Sequence, residues 1–256
     1  MPPGRRAYLE EMVRLASDDR PDIVCLQELP VWALNELARW SGMTAVADVA
    51  QRPRIGPFPS SSELGRLVTE LHHGLLRSAF TGQGNAILVG DDLRVLEHRR
   101  IVLNTRAFRR AEGRKLRLGL RARLAWRKER RVCQAVRVER ESGTLVVGNL
   151  HATSYRPDPR LADVELVRAA VFVDGVARSG EPVLLCGDFN VSVRRSHTLA
   201  DLAGPHWGFS GATPTGIDHI LVRGLQAGEP RRWPDDRRGR DGRLRSDHAP
   251  VDVEVE

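Results

Sequence analysis

Lysine is almost missing from this chain: Lys115 and Lys128 are the only two among 256 residues that carry a formal charge of +7. The positive balance and the pI near 10.2 therefore come from arginine, whose planar guanidinium matches carboxylate and phosphate partners better than an ammonium does. Cysteine is scarce too. Cys25, Cys133 and Cys186 lie in apolar stretches without paired or metal-ligand spacing, which argues against a disulfide framework and a cysteine zinc site and suits reduced thiols in a cytoplasmic protein. No apolar run reaches the length of a membrane span, and the opening MPPGRRAYLEEM has no apolar signal core. His72, His73, His98, His197 and His206 show no ligand spacing, and no glycine-rich loop marks a nucleotide site.

What is present fits a folded protein. Hydrophobic residues make up 41% of the chain, and its length suits one large α/β domain over residues 1–256. Charge is unevenly spread. Between Arg94 and Arg131 there are fifteen arginines or lysines against three acids, Glu97, Glu112 and Glu129. Such a stretch can offer a positive face to a polyanion, and it can equally be a solvated arginine-rich surface, so charge alone does not name the partner.

Tyr8, Leu9, Met12, Val13 and Ala16 recur at helical spacing after Pro2, Pro3 and Gly4, so the chain opens on an amphipathic helix. Residues 22–28 (DIVCLQE) read as a strand, 32–40 as a helix, 51–62 as a Pro, Gly and Ser loop, and 63–80 as a helix with a stripe of Leu64, Val68, Leu71 and Leu75. The middle reads as strands over 84–90, 93–103, 116–126, 132–138 and 144–151, in antiparallel ladders with one wet face. A helix over 158–177, strands over 183–188, 217–222 and 249–253, and a mobile polar loop over 231–245 complete the pattern. It implies two packed sheets flanked by helices.

Several of these strands end in polar residues that burial does not explain: Glu28, His151, Asp188 and Asn190. An acid just past a strand is commonly an ordinary turn residue. A set of them in one chain is what a site at the edge of a sheet requires, because strand ends distant in sequence converge there.

The segments DIVCLQE, GNAIL, VVGNLHATS, VLLCGDFN, GIDHILV and SDHAPV occur in this order over nearly the whole chain and resemble the endonuclease/exonuclease/phosphatase superfamily, the group of deoxyribonuclease I. The resemblance implies a four-layer α/β sandwich of two mixed β-sheets flanked by helices. It also implies a first strand bearing an asparagine, which would precede Met1 and leave this chain N-terminally incomplete. Glu28 would bind Mg²⁺, a hard cation that takes oxygen ligands, with Mn²⁺ as a substitute, and Asp247 would be a second ligand to the metal or its water. Asp188 would deprotonate the attacking water, and Asn190 would donate its amide to a phosphoryl oxygen from the same side of the chain. His248 would hydrogen-bond the phosphate with Asp218 fixing its tautomer, and His151 would stabilise the phosphate or the leaving oxygen. Asn85 would lie on the substrate side. His219, adjacent to Asp218, points the other way and is structural.

These roles imply a metal-dependent hydrolase of phosphoesters; a monomer is the default expectation, which the sequence itself does not fix. Nucleic acid is the favoured partner, from the arginine-rich stretch. Leu29 and Pro30 after LQE differ from the Thr-Lys usual in abasic-site enzymes. A lipid-headgroup or small-molecule phosphodiesterase would share every catalytic residue, with Trp32, Trp40 and Phe58 as an apolar contact surface. A non-catalytic binding protein on the same fold is the third alternative.

Overall fold

A computed structural model describes residues 5–55, 58–61, 81–240 and 242–256. The chain divides into two units, 1–94 with 232–250 and 95–231 with 251–256. No helix among the described residues is long and apolar enough to cross a membrane.

The first unit opens on α1 (Arg5–Ser17), followed by β1 (Ile23–Leu29), a 3-10 turn (Val31–Glu36), α2 (Leu37–Ser41), β2 (Thr44–Gln51) and β3 (Gln83–Val89). The three strands form an antiparallel sheet in the order β1-β3-β2. β3 is buried along its whole length, as a central strand covered on both faces must be. Leu37, Trp40, Ala33 and Val13 form a core against Ala86 and Leu88 of β3. β2 has no counterpart in the sequence reading, because in TAVADVAQ the strand formers Thr44, Val46 and Val49 are diluted by three alanines and Asp48. The expected helix over 63–80 lies outside the described residues. Within the expected 51–62 loop, two short strands, Arg54–Ile55 and Phe58–Pro59, pair with each other.

Within the expected loop 231–245, Arg237 and Arg245 make contacts elsewhere in the first unit. Arg237 stacks 3.6 Å from the Trp233 ring centroid and pairs with Asp19, and Arg245 Nε lies 3.2 Å from Glu11 on α1.

The second unit contains β4 (Arg94–Val102), α3 (Arg106–Lys115), α4 (Leu120–Lys128), β5 (Val132–Arg140), β6 (Gly143–His151), α5 (Arg160–Asp174), β7 (Val183–Asp188), α6 (His197–Leu202), β8 (Asp218–Arg223) and a two-residue β9 (Val251–Asp252). Its mixed five-stranded sheet runs β8-β7-β6-β5-β4, with β6 and β7 parallel. α5 buries Leu166, Ala169, Ala170 and Val173 in one core with Val146, Leu150, Val183 and Leu185 of the sheet, and Leu161 in a second core with Leu118, Ala122 and Trp126.

The strand expected over 116–126 is instead the turn after α3 and the greater part of α4. LRLGLRARLAW alternates apolar and polar residues, yet Leu118, Ala122 and Trp126 also recur every four residues. Thr105 caps α3 by accepting from Phe108 N, and the helical period wins because it buries Trp126 to 1% exposure.

One ion pair ties β5 to the turn before β7. Arg137 Nε donates to both carboxylate oxygens of Glu181, at 2.9 and 3.0 Å, and Thr144 and the Arg178 N–H donate to the same carboxylate. The guanidinium holds the Glu181 carboxyl down at about 2. Because the folded value lies below the ordinary one, this group stabilises fully above about pH 4.5 and loses its share as pH falls toward 2. Thermal unfolding from pH 6 to pH 2.5 is expected to show a steeper loss in the wild type than in Arg137→Gln; equal slopes would remove Glu181 as the cause.

Candidate active site

In the second unit, β6 and β7 run parallel and in register, so His151 stands beside Asp188 at their carboxyl ends. β8 enters antiparallel on the other side of β7 and places Asp218 opposite Asp188. Three polar residues separated by up to 67 positions thus occupy adjacent places on one sheet edge, at a strand spacing of roughly 5 Å. His151 Nε2 is 3.5 Å from Asp188 Oδ2, and a carboxylate oxygen of Asp218 lies within 4.8 Å of one of Asp188.

The GDFN segment is built to hold Asp188. Gly187 adopts φ +133°, and a Cβ there would stand 2.0 Å from the Leu150 carbonyl oxygen, so only glycine fits. Phe189 turns into the core and packs on His219 at 5.2 Å between centroids. Asn190 takes φ +53°, which folds it back onto Asp188: its N–H donates to Oδ1 at 2.9 Å and its Nδ2 to Oδ2 at 3.0 Å. Asn190 and Asp188 come together through this turn and not through strand alternation, since β7 ends at Asp188. The second Nδ2 hydrogen is taken by the Ala152 carbonyl at 2.9 Å, and the Ala152 N–H donates to the Asp188 carbonyl at 2.9 Å.

Two buried residues that sequence reasoning missed support this edge. Arg131 Nη1 lies 2.9 and 2.7 Å from the two ring nitrogens of His151, while Nη2 donates to Glu129 at 2.6 Å. Glu165, fully buried on α5, accepts from the Thr153 N–H at 2.7 Å, the Thr153 hydroxyl at 2.8 Å and Trp126 Nε1 at 2.5 Å. Burial pushes its carboxyl up, against the pull of Trp126, Thr153 and Arg131. Its position after the HATS motif is the one signal that could have found it, as an acid on the buried face of an otherwise apolar helix.

His219 is structural. It accepts from the Thr213 N–H at Nδ1, 3.1 Å, and meets the Val191 carbonyl at Nε2, 2.9 Å, while burial pushes its imidazole down toward the neutral form.

In the first unit, Gln27 and Glu28 together stand opposite the single residue Asn85 of β3, a bulge in which Glu28 takes φ +56°. Bulges re-aim side chains, and the Glu28 carboxylate is exposed. Across the sheet Asn85 pairs in register with Asp48 of β2, and both are buried. Asp48 was unrecognised because β2 was. Exposed Asp247 and half-buried His248 sit in a turn held by Arg238, 6% exposed, which donates from Nη1 to the carbonyls of Ser246 at 2.6 Å and His248 at 3.3 Å. Arg238→Ala is expected to lower turnover about tenfold by loosening this turn. Arg237→Ala, which leaves those two bonds intact, should change it less than twofold, and equal losses would assign the effect to the whole loop.

The sequence pattern that defines the Endonuclease/Exonuclease/phosphatase family matches residues 2–248. The chain belongs to this family. Family members are in general hydrolytic phosphoesterases that use divalent metals. The chain shares its fold with D. rerio TDP2 humanised by 14 mutations, at 14% identity and a TM-score of 0.67 over 98% of this chain and 92% of that one. The human Nocturnin catalytic domain, bound to a sulfate anion, is 15% identical with a TM-score of 0.63, covering 98% and 86%. A mannosyl-6-phosphatase from Bacteroides thetaiotaomicron is 15% identical with a TM-score of 0.62, covering 99% and 92%. No curated protein matches the chain.

Proposed function

We propose that this chain is a Mg²⁺-dependent phosphoesterase that cleaves phosphodiesters, with nucleic acid as its substrate. The observation that carries the reading is the row His151, Asp188 and Asp218 on one sheet edge, with Asn190 folded back onto Asp188.

Asp188 would take the proton of an attacking water; its carboxylate is oriented by the Asn190 N–H and Nδ2 donors, with His151 Nε2 3.5 Å from Oδ2. Asn190 orients that carboxylate. Its amide hydrogen on the Ala152 carbonyl is the donor proposed for the phosphoryl oxygen, so substrate exchanges one acceptor for another. His151, backed by Arg131, donates to the phosphate or to the leaving oxygen. On the first unit, Glu28, Asn85, Asp247 and His248 keep the roles assigned to them from sequence.

The donors suit a hard divalent ion. Glu28 and Asp247 belong to exposed residues and offer carboxylate oxygens, and the bulge and the Arg238 turn hold their backbones. When bound, the ion would polarise the phosphoryl group and stabilise charge on the leaving oxygen.

The test is hydrolysis of plasmid DNA, RNA, bis(4-nitrophenyl) phosphate, sphingomyelin and sugar phosphates with Mg²⁺ or Mn²⁺, beside Asp188→Ala. Metal-dependent cleavage of nucleic acid that disappears in Asp188→Ala supports the proposal. Turnover of the lipid or sugar ester alone keeps the chemistry and rejects the substrate. No turnover on any of them leaves a binding protein.

A further inference from the structure

α3 and α4 carry a concentration of charge that the reaction centre does not use. Between residues 106 and 130, ten of the eleven arginines and lysines are exposed, while both acids, Glu112 and Glu129, are half-buried and paired. On α3, Arg106, Arg110 and Arg114 recur every four residues, which places them on one face with their Cβ atoms one turn apart, about 5–6 Å. On α4, Arg121, Arg127 and Lys128 extend the same exposed charge.

This face is joined to the candidate site by the fold. Trp126, on the buried side of α4, donates to Glu165, which holds the Thr153 N–H two residues past His151. Asn104 donates to the carbonyls of Trp126 and Glu129 and accepts from the Arg131 N–H, so the end of α4 and the residue that touches His151 are fixed by one side chain. A ligand held by the helices is therefore held at a set distance from His151.

We propose that the exposed face of α3 and α4 is a sequence-independent docking surface for the phosphate backbone of nucleic acid; this rests on, and deepens, the reading of the chain as a nucleic-acid phosphodiesterase. Charge complementarity identifies the occupant. The row is of arginine, whose fork takes two phosphate oxygens, and it presents no base-reading element. Leu120 and Leu124, 74% and 52% exposed, are the features that a lipid surface would use instead. They stand on α4 alone, since the exposed positions of α3 carry only alanine between the cations. Two leucines beside ten cations leave electrostatics as the dominant attraction.

The test is fluorescence anisotropy of a labelled DNA duplex in EDTA, across salt concentration, for the wild type and for Arg110→Gln, Arg114→Gln, Arg121→Gln and Lys128→Gln combined. Gln retains helix propensity, and far-UV circular dichroism confirms the fold. The variant is expected to bind at least about tenfold more weakly at 0.1 M salt, with the log–log salt slope reduced by about 3 to 4, as four lost phosphate contacts require. Hydrolysis of bis(4-nitrophenyl) phosphate should not change. Unchanged duplex affinity and slope would overturn the surface while leaving the hydrolase reading intact. Loss of co-sedimentation with phosphatidylserine vesicles, with duplex binding unaltered, would overturn it in favour of a lipid surface. A wild type that binds duplex through these residues but hydrolyses nothing would support the surface and remove the hydrolase.

Discussion

Asp188→Asn is expected to lower kcat on any substrate the chain turns over by about a thousandfold, with KM changed less than threefold. The substitution preserves shape. Its oxygen can still accept from the Asn190 N–H, so the fold at the end of β7 survives. What disappears is basicity: an amide cannot take a proton from water. The new NH₂ also faces the Asn190 Nδ2 group, donor against donor, where Oδ2 accepted at 3.0 Å. That mismatch costs about 1–3 kcal/mol, far less than the fold depends on. Circular dichroism and thermal unfolding would check the fold, and initial rates the chemistry. Activity within tenfold of wild type would place the general base elsewhere.

The second large effect is on stability. Glu165→Ala removes the acceptor for three buried donors, Trp126 Nε1, the Thr153 N–H and the Thr153 hydroxyl. Each orphaned donor costs about 1–3 kcal/mol, and the removed side chain leaves a cavity under α5. A loss of about 4 kcal/mol is expected, or a fall in Tm of about 10 °C for a chain of this size. Glu165→Gln separates packing from hydrogen bonding. Its single oxygen can serve two of the three donors, while its NH₂ opposes the third, so it should recover about half the loss. Trp126 reports directly: its emission should shift when the indole N–H loses the carboxylate. A fall in Tm under 3 °C in Glu165→Ala would mean that the three donors find other partners.

The two experiments address different parts of one edge, since Asp188 ends β7 and Glu165 holds the turn after β6 from α5. Both parts differ in how far the sequence discloses them. Glu28, His151, Asp188 and Asp218 end or begin short apolar strands, and their polarity breaks a local pattern that can be read within ten residues. His219 was legible as structural by strand alternation alone. By contrast, Arg131, Glu165 and Arg238 are an arginine or glutamate among many, and each matters through a partner that folding brings near: Glu165 meets Trp126 from 39 positions away, and Arg131 meets His151 from 20. Asp48 was hidden with its strand, because β2 owes its conformation to pairing with β3 rather than to its own residues.

LRLGLRARLAW shows the limit most clearly. Its apolar residues satisfy a period of two and a spacing of four together, so periodicity could not choose between strand and helix. The helix prevails because it buries Trp126 against Glu165 while leaving the arginines in water. By itself, the sequence determined the family, the strands that carry the candidate site residues and the strongly basic character, since each is local chemistry or ordered motif. Tertiary structure alone decided that Asn190 turns back onto Asp188, that buried Arg131 and Glu165 brace His151 and its turn, and that the basic stretch is a pair of helices. Those outcomes depend on which donors and apolar faces are removed from water together, and that is set only when the distant segments meet.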